Sequence, residues 1–177
     1  MATQTNFAPR QNALLEMNRN WLAQGLRLIS SLSQESYEAC GGQVRHILDF
    51  YECFLNGVES SHIDYDARKR DESIARCAQA ASTKIQALMA AMDSLPALRG
   101  DAIVWVRMED AEGLHVDHDF LASSIGRELM VLSSHTVHHF ALIAMMLRQR
   151  GCEVEADFGV APSTLRHRAS QASAEAA

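Results

Sequence analysis

The stretch SSIGRELMVLSSHTVHHFALIAMMLRQRG at residues 123–151 decides the fold of this chain. Its apolar residues recur at intervals of three and four, which predicts one helix of about four heptads. Ser123 or Ser124 is a suitable N-cap, and the arginines near the other end suit the negative end of the helix dipole. Gly151 suits the C-cap. It is the fourth predicted helix in chain order and is called helix four.

Three further helical patterns precede it. Apolar residues recur at helical spacing up to about Leu32, again from Val44 to Val58, and again from about Glu72 to Met92. Between helices three and four, strand-forming residues at 103–106 and a return through Leu114 and Val116 predict a small β-hairpin. The sequence therefore predicts an all-α fold, a four-helix bundle with a small β-hairpin between helices three and four.

The bundle should occupy one domain of the 177-residue chain. We expect residues 1–10 to form a flexible arm, residues 11–166 the helical domain, and residues 167–177, rich in Ala, Ser and Glu, a disordered tail. The formal charge of −6 argues against a nucleic acid partner. The longest apolar run, at residues 140–147, is far shorter than the ~20 residues of a membrane span. We therefore expect a soluble, cytoplasmic protein with neither nucleic acid nor membrane as a partner.

The histidines of the H-T-V-H-H run at 135–139 carry the strongest chemical signal. Residues i and i+4 lie on one face of a helix, so His135 and His139 can point their imidazoles at a common ion. His138 lies about 100° round from His139 and is assigned to a neighbouring face, where it can line an entrance. Two buried imidazoles among apolar neighbours otherwise each need a polar partner.

A third ligand is needed, because zinc and nickel sites normally have at least three protein ligands. His46 is the best candidate, since its apolar neighbours on helix two turn it toward the interior of the bundle. His115 and His118, in the polar return of the hairpin, are rivals that could act from a lid. His62 and His167 are interpreted as solvated surface residues.

Two carboxylates on the predicted helices, and two arginines in the connecting segment YDARKRD at 65–71, are further candidates for the site. Asp49 is one turn beyond His46, and Glu128 is seven residues before His135, so each is a candidate for a base or for a group that orients a ligand. Ordinary ion-paired carboxylates are the alternative. Arg68 and Arg70 are candidates to hold a substrate carboxylate, and ion pairs with nearby aspartates are the alternative.

The chain resembles the DinB-like (DinB/YfiT) family of helical proteins. The resemblance rests on RHILDFYECFLNG at 45–57, YDARKRD at 65–71, and SHTVHHFALIAMMLRQRG followed by FGVAPSTLR. It implies an up-down-down-up bundle, a homodimer, and a divalent ion held by His46, His135 and His139. Many members have Arg-Gly-Gln after the double histidine, whereas Phe-Ala-Leu follows here, so the resemblance does not extend to a substrate pocket.

A three-histidine site leaves an ion with its full charge and an open position. Such an ion lowers the pKa of a bound water toward about 7 or deprotonates a thiol, which makes either one a nucleophile. We expect zinc or nickel, with iron or manganese as alternatives, and a metal-dependent thiol transferase or hydrolase acting on a small molecule, with a low-molecular-weight thiol as a candidate. Two other hypotheses are a non-catalytic metal-binding or sensing bundle and a hemerythrin-like di-iron site using His62 and Asp66.

Overall fold

The computed structural model describes residues 8–108 and 120–175, and this part of the chain is mostly helical with one small sheet. The helices are α1 (Ala8–Ser31), α2 (Gln34–Glu38), α3 (Gly41–Gly57), α4 (Glu72–Arg76), α5 (Ala78–Asp93), α6 (Ile125–Gln149) and α7 (Pro162–Glu175). The strands are β1 (His62–Asp64), β2 (Ile103–Arg107) and β3 (Leu121–Ser124). The expected class, helical with a small sheet, is confirmed at this level.

Four long helices enclose the core. Both α5 and α6 pack against α1 and against α3, so each long helix has two long neighbours. Fully buried side chains fill the space between them, among them Leu22, Tyr51, Phe54, Ile85 and Leu132. Each such side chain contributes about 1.5–3 kcal/mol through burial, so this interior stabilises the fold without a disulfide.

Helix α3 packs closely against the backbone of α4 at Gly41. A Cβ atom on Gly41 would lie 2.0 Å from the carbonyl oxygen of Ala75, so only glycine permits α4 to pack this closely. The predicted helical pattern began at Val44. Instead α3 begins at Gly41, and the short helix α2 precedes it.

The sheet differs from the predicted hairpin. Strand β2 pairs antiparallel with β3, with Val106 opposite Leu121, so the return strand lies later than expected. Leu114 and Val116, the predicted return residues, lie outside the described residues. Strand β1 pairs parallel with β2, with His62 opposite Trp105, in a segment for which no strand was predicted. Three residues are too few for an alternating pattern, so periodicity does not reveal this strand.

The predicted third helix is divided in two. Helix α4 is capped by Asp71, whose side chain accepts a hydrogen bond from the backbone N–H of Ser73, and Cys77 then adopts an extended backbone before α5 begins. The prediction of one continuous helix from Glu72 to Met92 was therefore wrong, because apolar periodicity runs through a one-residue break without interruption.

The two ends of the described chain are more helical than expected. Helix α7 covers 162–175, although the composition from 167 onward predicted disorder, and its alanines have the highest helix propensity of all residues. Pro162 at its first position suits a helix start. Helix α1 begins at Ala8, inside the expected flexible arm, and residues 1–7 lie outside the described part.

Helix α6 is long and apolar enough to cross a membrane by length and composition. The prediction from the eight-residue apolar run missed this, because the helix intersperses small and polar residues among apolar ones. A helix in the core of a soluble protein meets the same criteria of length and composition. The buried face of α6 packs against α1 and α3, as such a core helix does.

Candidate metal centre

Three histidines meet at the interface between α3 and α6. His46 projects from α3, and His135 and His139 project from adjacent turns of α6. A ligand atom from each of the three lies within 4.8 Å of the others, and Nε2 of His46 is 3.1 Å from Nε2 of His135. Nitrogens on a tetrahedral zinc ion are separated by roughly 3.3 Å, so these side chains need only small adjustments to share an ion.

The packing of the two helices explains this position. Val44, Ile47 and Leu48 are buried on α3, and Leu132 and Phe140 are buried on α6. The three histidines lie beside these buried positions and are each half-buried. They therefore stand at the edge of the core, close enough to one another to act together and still within reach of a small molecule.

The surroundings keep the imidazoles neutral. Burial lowers the pKa of His46 to about 4, with smaller contributions from His139, Arg68 and Arg45. Burial likewise lowers the pKa of His135 to about 3, assisted by His139, His46 and His138, and burial also lowers the pKa of His139. Neutral imidazole is the form that binds a metal.

Gln43 orients one of the imidazoles. Its Oε1 lies 2.6 Å from Nδ1 of His139, so Nδ1–H donates to the amide oxygen and leaves Nε2 as the free ligand atom. Nδ1 of His135 is buried and has no hydrogen-bond partner among the described residues. The sequence reasoning missed Gln43, although it precedes His46 by three residues and so shares its helix face.

An aromatic side chain forms one wall of the centre. The ring of Phe50 stacks on the His135 ring, with 4.1 Å between the two centroids. It meets the His46 ring edge to face, with 5.0 Å between the two centroids. Tyr65 stacks on Phe50 as well, at 5.0 Å, and is fully buried. Phe50 thus fixes the orientation of two histidines by packing.

The two predicted carboxylates lie in different surroundings. Glu128 is buried and accepts hydrogen bonds from the hydroxyls of Tyr65, at 3.0 Å, and Ser123, at 2.6 Å. Asp49 is buried on α3, and burial raises the pKa of its carboxyl group. Neither carboxylate belongs to the described three-histidine group. Glu128 is linked to the centre indirectly, because its partner Tyr65 stacks on Phe50 and Phe50 stacks on His135. A direct role for either acid stays a prediction.

A buried polar network beneath the histidines was not anticipated. The Tyr51 hydroxyl donates to Oδ1 of Asn18 at 2.9 Å and lies 3.1 Å from the Thr136 hydroxyl. The Asn18 amide in turn donates to the backbone oxygen of Leu129 on α6. The side chains of Asn18, Tyr51 and Thr136 are fully buried, so the network ties α1, α3 and α6 together at Thr136, the residue that follows His135.

The other histidines lie elsewhere. His138 is exposed, and its ring centroid is 5.2 Å from that of His139. His62 is exposed in β1, not on a helix, so the helical i,i+4 spacing with Asp66 on which the di-iron hypothesis depended is absent. His167 is exposed on α7. His115 and His118 lie outside the described residues.

A cavity of about 260 Å³ opens at a different place, between α1 and the segment after α5. Its lining is mostly apolar, and its charged residues include the ion pair of Arg19 with Asp93. Such a lining offers no ligand set or nucleophile, so the histidine centre is the better candidate for chemistry.

Comparison with known proteins adds little to this geometry. No family model matches the chain, and no solved structure matches it. A 45-residue segment, 25% of the chain, is 49% identical to FK506-binding protein 5 of Rhizopus delemar, and it covers 12% of that protein. A similarity over so small a part of both proteins indicates neither a shared fold nor a shared activity.

Proposed function

We propose that this protein binds one divalent transition-metal ion through His46, His135 and His139 and uses it to activate a thiol or a water for group transfer or hydrolysis. Zinc or nickel is the proposed ion, with iron or manganese as the alternatives. The observation that carries the proposal is the convergence of three neutral imidazoles from two helices within 4.8 Å.

The surroundings of the three side chains support this proposal over a packing role. A half-buried imidazole that served packing alone would satisfy its nitrogens with protein partners. Here Nδ1 of His135 is buried and has no partner among the described residues, and the Nε2 atom that His135 presents at 3.1 Å meets only the Nε2 of another proposed ligand, His46. Gln43 and Phe50 hold the rings in place, as residues around a metal site commonly do.

The proposed activation of a thiol or a water follows from the three neutral imidazole ligands. A divalent ion on three neutral ligands acidifies a bound thiol or water, so that the nucleophile forms near neutral pH. The chain's own residues then orient the site: Gln43 fixes the His139 tautomer, and Phe50 excludes water from one side. Asp49 and Glu128 are proposed to take up or hold a proton during the reaction.

The proposal includes membership of the DinB-like family, on the sequence motifs given above. The four helices α1, α3, α5 and α6 are then the helices of an up-down-down-up bundle. A homodimer and a cytoplasmic location belong to the same proposal. Exposed Met130 and Met145 on the outer face of α6 are suited to a subunit contact.

Activity assays on zinc-loaded and metal-free protein test the catalytic part. Thiols are offered with 1-chloro-2,4-dinitrobenzene, where the new carbon–sulfur bond displaces chloride and the thiol proton passes to solvent, and p-nitrophenyl acetate reports hydrolysis. We expect a rate above background with the metal-loaded protein, lost in His135→Ala and retained in His138→Ala.

A tight metal site without turnover across the panel would favour the second candidate, a non-catalytic metal-binding or sensing protein. Turnover that is equal with and without metal would contradict the metal-dependent mechanism itself.

A further inference from the structure

Arg68 lies beside the histidine centre and is separated from it by one aromatic ring. It belongs to the segment between β1 and α4, and its Cζ is 5.3 Å from the centroid of the Phe50 ring. The same ring stacks on His135. The positive charge of Arg68 also contributes to lowering the pKa of His46 and of His135, so it acts on the centre from close by.

Arg68 has no anionic partner among the described residues, in contrast to nearby cations. Lys69 pairs with Glu52 at 2.9 Å, and Arg45 pairs with Glu72. No ion pair of Arg68 is found within residues 8–108 and 120–175, and its Nε is buried without a hydrogen bond. Asp71, an aspartate near Arg68 in the sequence, accepts a hydrogen bond from the backbone N–H of Ser73 and caps α4.

A guanidinium held over an aromatic ring by cation–π attraction does not use its N–H donors in an ion pair. Those donors form a planar fork that matches the two oxygens of a carboxylate. The contact with the ring also restricts the motion of the side chain, so less conformational entropy is lost when an anion binds. A half-buried arginine with no anionic partner within the described ranges is therefore a prepared site for a carboxylate.

We propose that Arg68 determines specificity by binding the carboxylate of a small acidic thiol whose sulfur is directed to the three-histidine centre. This inference rests on the proposed function, and it narrows the substrate class from thiols in general to thiol carboxylic acids. Arg70, the other arginine of the segment, is exposed and is not part of the proposal.

The test uses cobalt(II)-loaded full-length protein, whose visible absorption changes when sulfur binds the ion. The probes are 3-mercaptopropionate and its neutral methyl ester, which present the same thiol with and without the carboxylate. We expect the wild type to bind the acid about 10- to 100-fold more tightly than the ester. Arg68→Gln should reduce this ratio to about 1 and leave ester affinity unchanged, whereas the control Arg70→Gln should keep the wild-type ratio.

The outcomes separate this inference from the proposed function. If cobalt binds and both thiols change the spectrum, but Arg68→Gln keeps the preference for the acid, the role of Arg68 is overturned while the metal centre stands. If cobalt binds and neither thiol changes the spectrum, the thiol class is overturned. If the wild type and the Arg70→Gln protein bind no cobalt, the proposed function is overturned and this inference with it.

Discussion

The depressed pKa values of the histidines predict that metal affinity changes little with pH. An imidazole with the ordinary pKa of 6.5 loses about tenfold in metal affinity between about pH 7.5 and about pH 5.5, because protons compete for its ligand nitrogen. Three such ligands would lose about 1,000-fold. The pKa values of His46, about 4, and His135, about 3, lie below this range, so protons do not compete at these two sites.

The direction of this effect follows from the sign of the shifts. A lowered pKa keeps the imidazole neutral and free for the ion as the pH falls, so affinity decreases only when the pH approaches the lowered value. His139 also has a lowered pKa and can add at most the tenfold loss of an ordinary imidazole. We therefore expect the zinc dissociation constant to rise by less than about tenfold over the range.

Competition titration with a chromophoric zinc indicator, calibrated separately at each pH, measures this change. The exposed His138 offers a matched control, since His138→Ala removes a histidine without removing a proposed ligand. A loss of about 1,000-fold in the wild type would show that the three imidazoles titrate as in water, and it would refute the argument from burial.

Three further predictions concern single side chains. His138→Ala should keep stoichiometric metal in elemental analysis while His139→Ala loses it; the reverse result would show that the wrong face of α6 was chosen. Gln43→Leu removes the acceptor of the His139 ring and should weaken zinc binding about 10- to 100-fold in the same competition titration; unchanged affinity would remove its orienting role. Tyr51→Phe leaves Oδ1 of Asn18 buried without its donor and should lower the free energy of unfolding in urea by about 1–3 kcal/mol, whereas an unchanged midpoint would mean that the network contributes nothing to stability.

The proximity of the three histidines could be inferred from local sequence. The i,i+4 spacing on a long helix placed two of them on one face, and the apolar neighbours of His46 turned the third toward the interior. Both arguments depend on periodicity alone, which is strong in α3 and α6. The role of these residues as metal ligands stays a prediction.

Other parts of the structure depend on contacts between residues distant in sequence. Phe50 stacks on His135, and the Arg68 guanidinium lies over the Phe50 ring. These contacts join α3, α6 and the segment between β1 and α4, so no local sequence pattern reveals them. Strand β1 has only three residues and forms because its backbone pairs with that of β2. Helix α7 was missed because a composition rich in Ala, Ser and Glu is typical both of disordered tails and of exposed helices.

The central claim is that three histidines on two helices hold one ion, and elemental analysis tests it most directly. The wild type, expressed without a metal-binding tag, is compared with His46→Ala and His135→Ala after reconstitution and removal of excess metal. We predict about one zinc, nickel, iron or manganese ion per chain in the wild type and a loss in both variants, with helical circular dichroism preserved. A wild type that binds no metal after reconstitution, or variants that retain it at full stoichiometry, would contradict the account.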